Sequence, residues 1–139
     1  MWTRTYSIVT QAVTKEQLWK VFTDVNTWHI HDEGIEYAKL EGKFEKGNHF
    51  ILKPKGGPKV KVHLTEVIEN KKYTDVTKFP LAKMTDEHII EETSEGLKFT
   101  NIIYVKGVLS FLWIKLVAKK IADDMPADIQ RVFKRAKTL

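Results

Sequence analysis

The chain has no cysteine, only four prolines and seven glycines in 139 residues, and no long apolar run. The first absence excludes disulfide frameworks, thiolate metal sites and cysteine nucleophiles, and it suits a reducing compartment. No stretch approaches the roughly 18 uninterrupted apolar residues of a membrane span. The opening Met1-Trp2-Thr3-Arg4-Thr5-Tyr6 lacks the basic segment and apolar core of a signal peptide. A soluble, cytoplasmic protein is therefore expected. No internal repeat, linker or low-complexity segment interrupts the sequence, so one domain over 1–139 is expected. Gly-x-Ser-x-Gly, paired Cys and His-Glu-x-x-His are all missing, which leaves serine, thiol and zinc-protease chemistries without support.

What is present is a globular composition, 42% apolar and 29% charged, with seven Phe and four Trp to bury. The formal charge of +5 comes from 23 Lys and Arg against 18 Asp and Glu. The excess gathers in two places: after Lys115, and at Lys53, Lys55, Lys59 and Lys61 around the Gly56-Gly57-Pro58 turn. Such clusters can meet phosphate or anionic lipid. Because the excess is nearly all Lys, without interleaved Arg and aromatics, it reads as a solvated surface, and no nucleic-acid partner is expected.

Trp2 to Thr10, rich in Thr, Tyr, Ile and Val, reads as a strand. Thr14 is placed as an N-cap with Gln17 completing a capping box, and Leu18, Trp19, Val21 and Phe22 follow at helical spacing. A second short helical segment is expected from Thr27 and Trp28 to about His31. From Ile35 to about Val105, turn residues mark off six further strands, and connections of about two to five residues imply an antiparallel meander. Beyond Gly107 the pattern becomes helical to about Lys137, with Phe111, Ala118, Ala122, Met125, Ile129, Phe133 and Ala136 forming one stripe. Asp124-Met125-Pro126 is expected to kink or restart this helix, with Asp124 as cap.

This order resembles the START-like, Bet v 1-like (SRPBCC) superfamily, and several stretches are similar to its polyketide cyclase/dehydrase and lipid-transport branch. They are Val13 through Trp28, with its Leu18-Trp19 pair leading to Asp24 and Trp28, and the Gly-x-Phe-x-x-Gly hairpin in Gly42-Lys43-Phe44-Glu45-Lys46-Gly47. Tyr73-Thr74-Asp75-Val76-Thr77, Phe79-Pro80-Leu81-Ala82, His88 and the Gly107-to-Trp113 junction continue the likeness. The resemblance implies an α+β helix-grip fold: a seven-stranded curved antiparallel sheet wrapped around a long C-terminal helix, with two short helices after strand 1. It also implies a cavity between sheet and helix, in a superfamily of ligand carriers, lipid binders, cyclases, dehydratases and co-chaperone domains.

Taking alternate strand residues inward, the cavity would be lined by Phe50, Leu52, Val62, Leu64, Phe79, Met84, His88, Ile90, Phe99 and Ile103, and by Ala118, Ala122 and Met125 of the helix. Small Ala118 and Ala122 would leave volume; alternatively Met and Phe close the core. His88, Asn101 and Asp86 share inward parity and are the candidate catalytic residues. His88 would move a proton or orient a carbonyl and Asn101 would fix its tautomer; otherwise His88 is a core histidine satisfied by its neighbours. Tyr37, Tyr73 and Tyr104 are further candidate donors. His29-x-His31 reads as exposed loop histidines, and neither a metal nor a cofactor is assigned. The expected partner is a small hydrophobic molecule such as a lipid, polyketide-like aromatic or isoprenoid, held by a monomer or homodimer. Leu109, Leu112, Trp113 and Leu116, rimmed by lysines, are expected to pack against the meander edge and short helices, with peripheral contact to a membrane surface or a second subunit as the alternative.

Overall fold

A computed structural model describes residues 2–139. The strands are β1 (Trp2–Thr10), β2 (Ile35–Leu40), β3 (His49–Pro54), β4 (Val60–Ile68), β5 (Lys72–Phe79), β6 (Ala82–Thr93) and β7 (Gly96–Lys106). They form one antiparallel sheet in the order β1-β7-β6-β5-β4-β3-β2. Strands β2 to β7 are a meander, and β1 returns to pair with β7 from Trp2 opposite Val105 to Thr10 opposite Leu97. Period-two alternation is visible in β7, where Leu97, Phe99, Asn101, Ile103 and Val105 are buried and the residues between them are only partly so.

Helix α1 (Lys15–Thr23) begins with the expected capping box: Thr14 Oγ1 accepts from the Gln17 N–H and the Gln17 side chain accepts from the Thr14 N–H. A 3₁₀ turn leads to α2 (Trp28–His31). After the sheet come α3 (Ser110–Trp113), a π-helical turn at Ile114–Ala118, and α4 (Lys119–Ala136). The chain is thus a seven-stranded curved antiparallel sheet wrapped around a long C-terminal helix, with two short helices after the first strand. Phe99 sits at the centre of the core, stacked on Phe22 at 5.2 Å between centroids and met edge-on by Phe133 at 6.1 Å. Truncating so enclosed a ring typically costs about 3–5 kcal/mol.

Three expectations change. Helix α4 runs through Pro126 without a break, because Met125, Ile129 and Phe133 are buried around the proline and hold the register; Asp124 pairs with Lys120 at 2.8 Å instead of capping. The irregularity falls earlier, in the π turn, whose extra residue shifts the phase of the stripe. Ala118 is buried but Phe111 is turned out, 68% exposed. The apolar start of the helix is partly covered: Leu109, Leu112 and Trp113 are half-buried, with Trp113 packed on the meander at Phe79, whereas Val108 and Leu116 are exposed. Finally, β2 and β3 are joined by a longer connection, residues 41–48, braced by Asn48 Nδ2 donating to the Glu41 and Lys43 carbonyls. That loop carries Phe44 onto the edges of Trp19 and Tyr73. No helix among the described residues is long and apolar enough to cross a membrane.

Candidate functional site

Along one flank of α4 the helix stands away from the sheet and leaves a cavity of about 290 Å³. Its walls are Val21 and Phe22 of α1, Trp28 of α2, Leu52 of β3, and Met125, Ile129 and Val132 of α4. Trp28 is held there by its Nε1–H, which donates to the Val21 carbonyl at 3.1 Å. The floor is polar: Asp86 and His88 of β6 and Asn101 of β7. Around the mouth stand Lys20, Asp24, Asp32, Asp128, Arg131 and Arg135.

Strand register builds the floor. His88 lies opposite Asn101 on β7 and opposite Tyr73 on β5, and Asp86 lies opposite Asp75 on β5. Asn101 Nδ2 donates to Asp86 Oδ1 and to the Glu87 carbonyl. The His88 ring stacks on Tyr73 with centroids 3.9 Å apart, and Nδ1 is 3.4 Å from the Tyr73 carbonyl oxygen. A carbonyl accepts only, so Nδ1 carries the proton and the neutral ring presents the Nε2 lone pair to Asp86 Oδ1, 3.6 Å away. Burial pushes the His88 pKa below its ordinary value despite Asp86. Burial also pushes Asp75 and Asp86 up, and Asp75 is raised further by the charge of Asp86. An uncharged imidazole and a proton held by the carboxyl pair are therefore favoured.

Of the residues expected at the site, Leu52, Asp86, His88, Asn101 and Met125 are brought together on the cavity surface. Phe50, Val62, Leu64, Met84, Ile90, Phe99, Ile103, Ala118 and Ala122 are buried in the adjoining core and do not line it. Phe79 stacks on Trp113 at 4.6 Å, away from the cavity. Tyr73 lies inside, Tyr37 is exposed, and Tyr104 is half-buried beside Lys106. His29 and His31 are exposed on α2. Sequence reasoning missed Phe22, Trp28 and Val132 because strand alternation assigns faces of the sheet and not the helix flanks that close over it. Their helical spacing next to Trp28 was the available signal.

No family model and no curated protein matches the chain. Solved structures do. A structural-genomics protein of Nitrosomonas europaea aligns over 98% of this chain and 94% of its own at 15% identity and a TM-score of 0.71. A hypothetical protein of Helicobacter pylori aligns over 97% and 88% at 8% identity and a TM-score of 0.76. The di-domain ARO/CYC StfQ from the steffimycin biosynthetic pathway aligns over 98% of this chain and 50% of its own, at 14% identity and a TM-score of 0.71. At these identities the likeness is one of fold: the chain has a helix-grip fold.

The cavity mouth supplies a pH test. Partial burial, with Asp32 and Asp124 nearby, lifts the Asp128 pKa from 3.8 to about 6, although Arg131 lies 2.6 Å away. A carboxyl whose folded pKa is raised stabilises the fold below its unfolded pKa, and that contribution is lost as the pH rises through the folded value. Denaturant titrations from about pH 4 to about pH 7 should show Asp128→Asn losing less stability with rising pH than the parent. Parallel pH profiles would remove the raised pKa.

Proposed function

We propose that the chain binds one small hydrophobic molecule in the cavity beside α4, as a carrier or sensor. The observation that carries this reading is a cleft with apolar walls, a polar patch on its floor and charged residues around its open mouth. Small-molecule sites commonly have this make-up, with apolar surface for affinity and a few polar groups for orientation. The volume of about 290 Å³ falls just under the range of ligand sites, roughly 300–1,000 Å³. It suits a compact polyketide-like aromatic or short isoprenoid better than a two-chain lipid. Asn101 and His88 would take a ligand carbonyl or hydroxyl.

A second reading is supported by the floor itself: a cyclase- or dehydratase-type enzyme with His88 as acid and base. Nε2 would take a proton from a ligand carbon, Asp86 would steady the imidazolium, and the proton would return to a departing hydroxyl, releasing water. The ARO/CYC fold relative lends this reading analogy only. A co-chaperone-like interaction role would need neither feature.

Anilinonaphthalene sulfonate, an aromatic fluorophore with one sulfonate group, should bind the parent, and Val132→Phe, which grows into the cavity, should weaken binding about tenfold or more while the fold is kept. Unchanged affinity in folded Val132→Phe would refute the cavity as the site. For any substrate found, loss of turnover in His88→Ala with affinity held within a few-fold would establish the enzyme reading.

The exposed start of the C-terminal helix supports peripheral contact with an anionic membrane. The Leu81 carbonyl accepts from the Leu109 N–H at 3.1 Å, setting exposed Leu81 beside exposed Val108, and Lys106, Lys115 and Lys119 flank the segment. The protein should cosediment with phosphatidylserine vesicles but not with phosphatidylcholine vesicles, and Phe111→Asp should abolish this. Equal recovery with both vesicle types would contradict it.

A further inference from the structure

We propose that Asp75, Asp86 and His88 form a site for one divalent transition-metal ion of the zinc class on the floor of the cavity. One ligand atom from each residue lies within 4.8 Å of the others. The proposal goes beyond the binding of an organic ligand and does not depend on that ligand's identity.

The arrangement of His88 supports it first. A metal-ligating histidine characteristically donates its other ring N–H to a carbonyl or carboxylate, which fixes the tautomer and aims the free nitrogen. Here Nδ1–H faces the Tyr73 carbonyl, Tyr73 stacks flat on the ring, and the unprotonated Nε2 of the neutral ring faces the Asp86 carboxylate. The Nε2-to-Oδ1 separation of 3.6 Å is close to the about 3.3 Å between ligand atoms on a tetrahedral zinc ion. Asp86 is supported in turn by the Asn101 amide, the outer-shell contact that ligating carboxylates usually have.

Asp75 is the second, independent observation. It is 8% exposed and faces the cluster, yet among the described residues no hydrogen-bond donor or cation pairs with its carboxylate. It stands directly across from Asp86, and like charges directly opposite in a sheet are destabilising. A divalent cation would satisfy Asp75 and balance both carboxylates with a neutral imidazole. One nitrogen and two oxygen ligands favour a zinc-class ion over calcium or magnesium, which take oxygen sets. Because Asp86 and His88 line the cavity, remaining coordination positions would open onto it.

The test uses the full chain, stripped with chelator and dialysed against Zn²⁺ near neutral pH, with metal counted per chain. One tightly held equivalent is expected, with a raised melting temperature, and Co²⁺ in its place should add visible ligand-field bands. Asp75→Asn and His88→Gln should each weaken Zn²⁺ about tenfold or more; either variant alone suffices if the other does not fold. Uptake well below one equivalent would overturn the site and leave the carboxyl pair to protons. Full uptake lost only in His63→Gln would overturn it too, placing the ion at the His49–His63 pair, whose rings are 6.1 Å apart. Fluorophore binding is measured on the same samples. Fluorophore without metal sinks this inference and spares the cavity, whereas metal without fluorophore does the reverse.

Discussion

The contact of α4 with the concave face of the sheet organises the rest of the molecule. One line of the helix, Ala122, Met125, Ile129, Phe133 and Ala136, is buried, and Phe133 reaches Phe99, which is stacked in turn on Phe22 of α1. That chain of rings ties the last helix, strand β7 and the first helix into one core. Apolar burial, at about 25 cal/mol per Å², makes this contact stabilising. It also sets the position of the cavity, since α4 can fill the space directly beneath its buried line and not the space beside it. Met125, Ile129 and Val132 therefore look into a gap that α1 and α2 roof over.

The polar floor is the counterpart of that arrangement. Four groups that would be cheaper in water, the floor residues Asp86, His88 and Asn101 and the buried Asp75 across from Asp86, stand on three adjacent strands of the sheet. A buried polar group left without a partner costs about 1–3 kcal/mol. Asn101 satisfies Asp86, and the Tyr73 carbonyl satisfies one edge of His88, while Asp75 and the other edge of the imidazole make no hydrogen bond among the described residues. A core built only for stability would place apolar residues here, as it does at Leu64, Ile90 and Ile103 on the same face. Unrelieved polar groups on a cavity floor are what a recognition site requires, because they reward a ligand that completes them.

Much of the fold was legible in the sequence. The Thr14–Gln17 capping box, the turn at Gly56, and the alternation in β7 are local signals, and each matched its element. Inward parity also picked out Asp86, His88 and Asn101, since in a strand the face follows from position alone. Less legible was anything that depends on the phase of a helix after an irregularity. The π turn at Ile114–Ala118 has no proline or glycine to announce it, so Phe111 was assigned to the buried stripe and Pro126 was expected to break a helix that the core holds intact. Asp75 shares its face with Tyr73 and Thr77, but sequence alone does not say that it stands across from Asp86. That pairing depends on strand register, which emerges only when the hairpins are assembled.

The central claim is that the gap beside α4 is a real binding site for a small organic molecule. Native mass spectrometry of freshly purified protein, followed by the same sample denatured, tests it most directly. The account predicts an organic mass that travels with the folded chain, or is taken up on incubation with small aromatic and isoprenoid compounds, and is released on unfolding. Bare folded protein both before and after such incubation would contradict it.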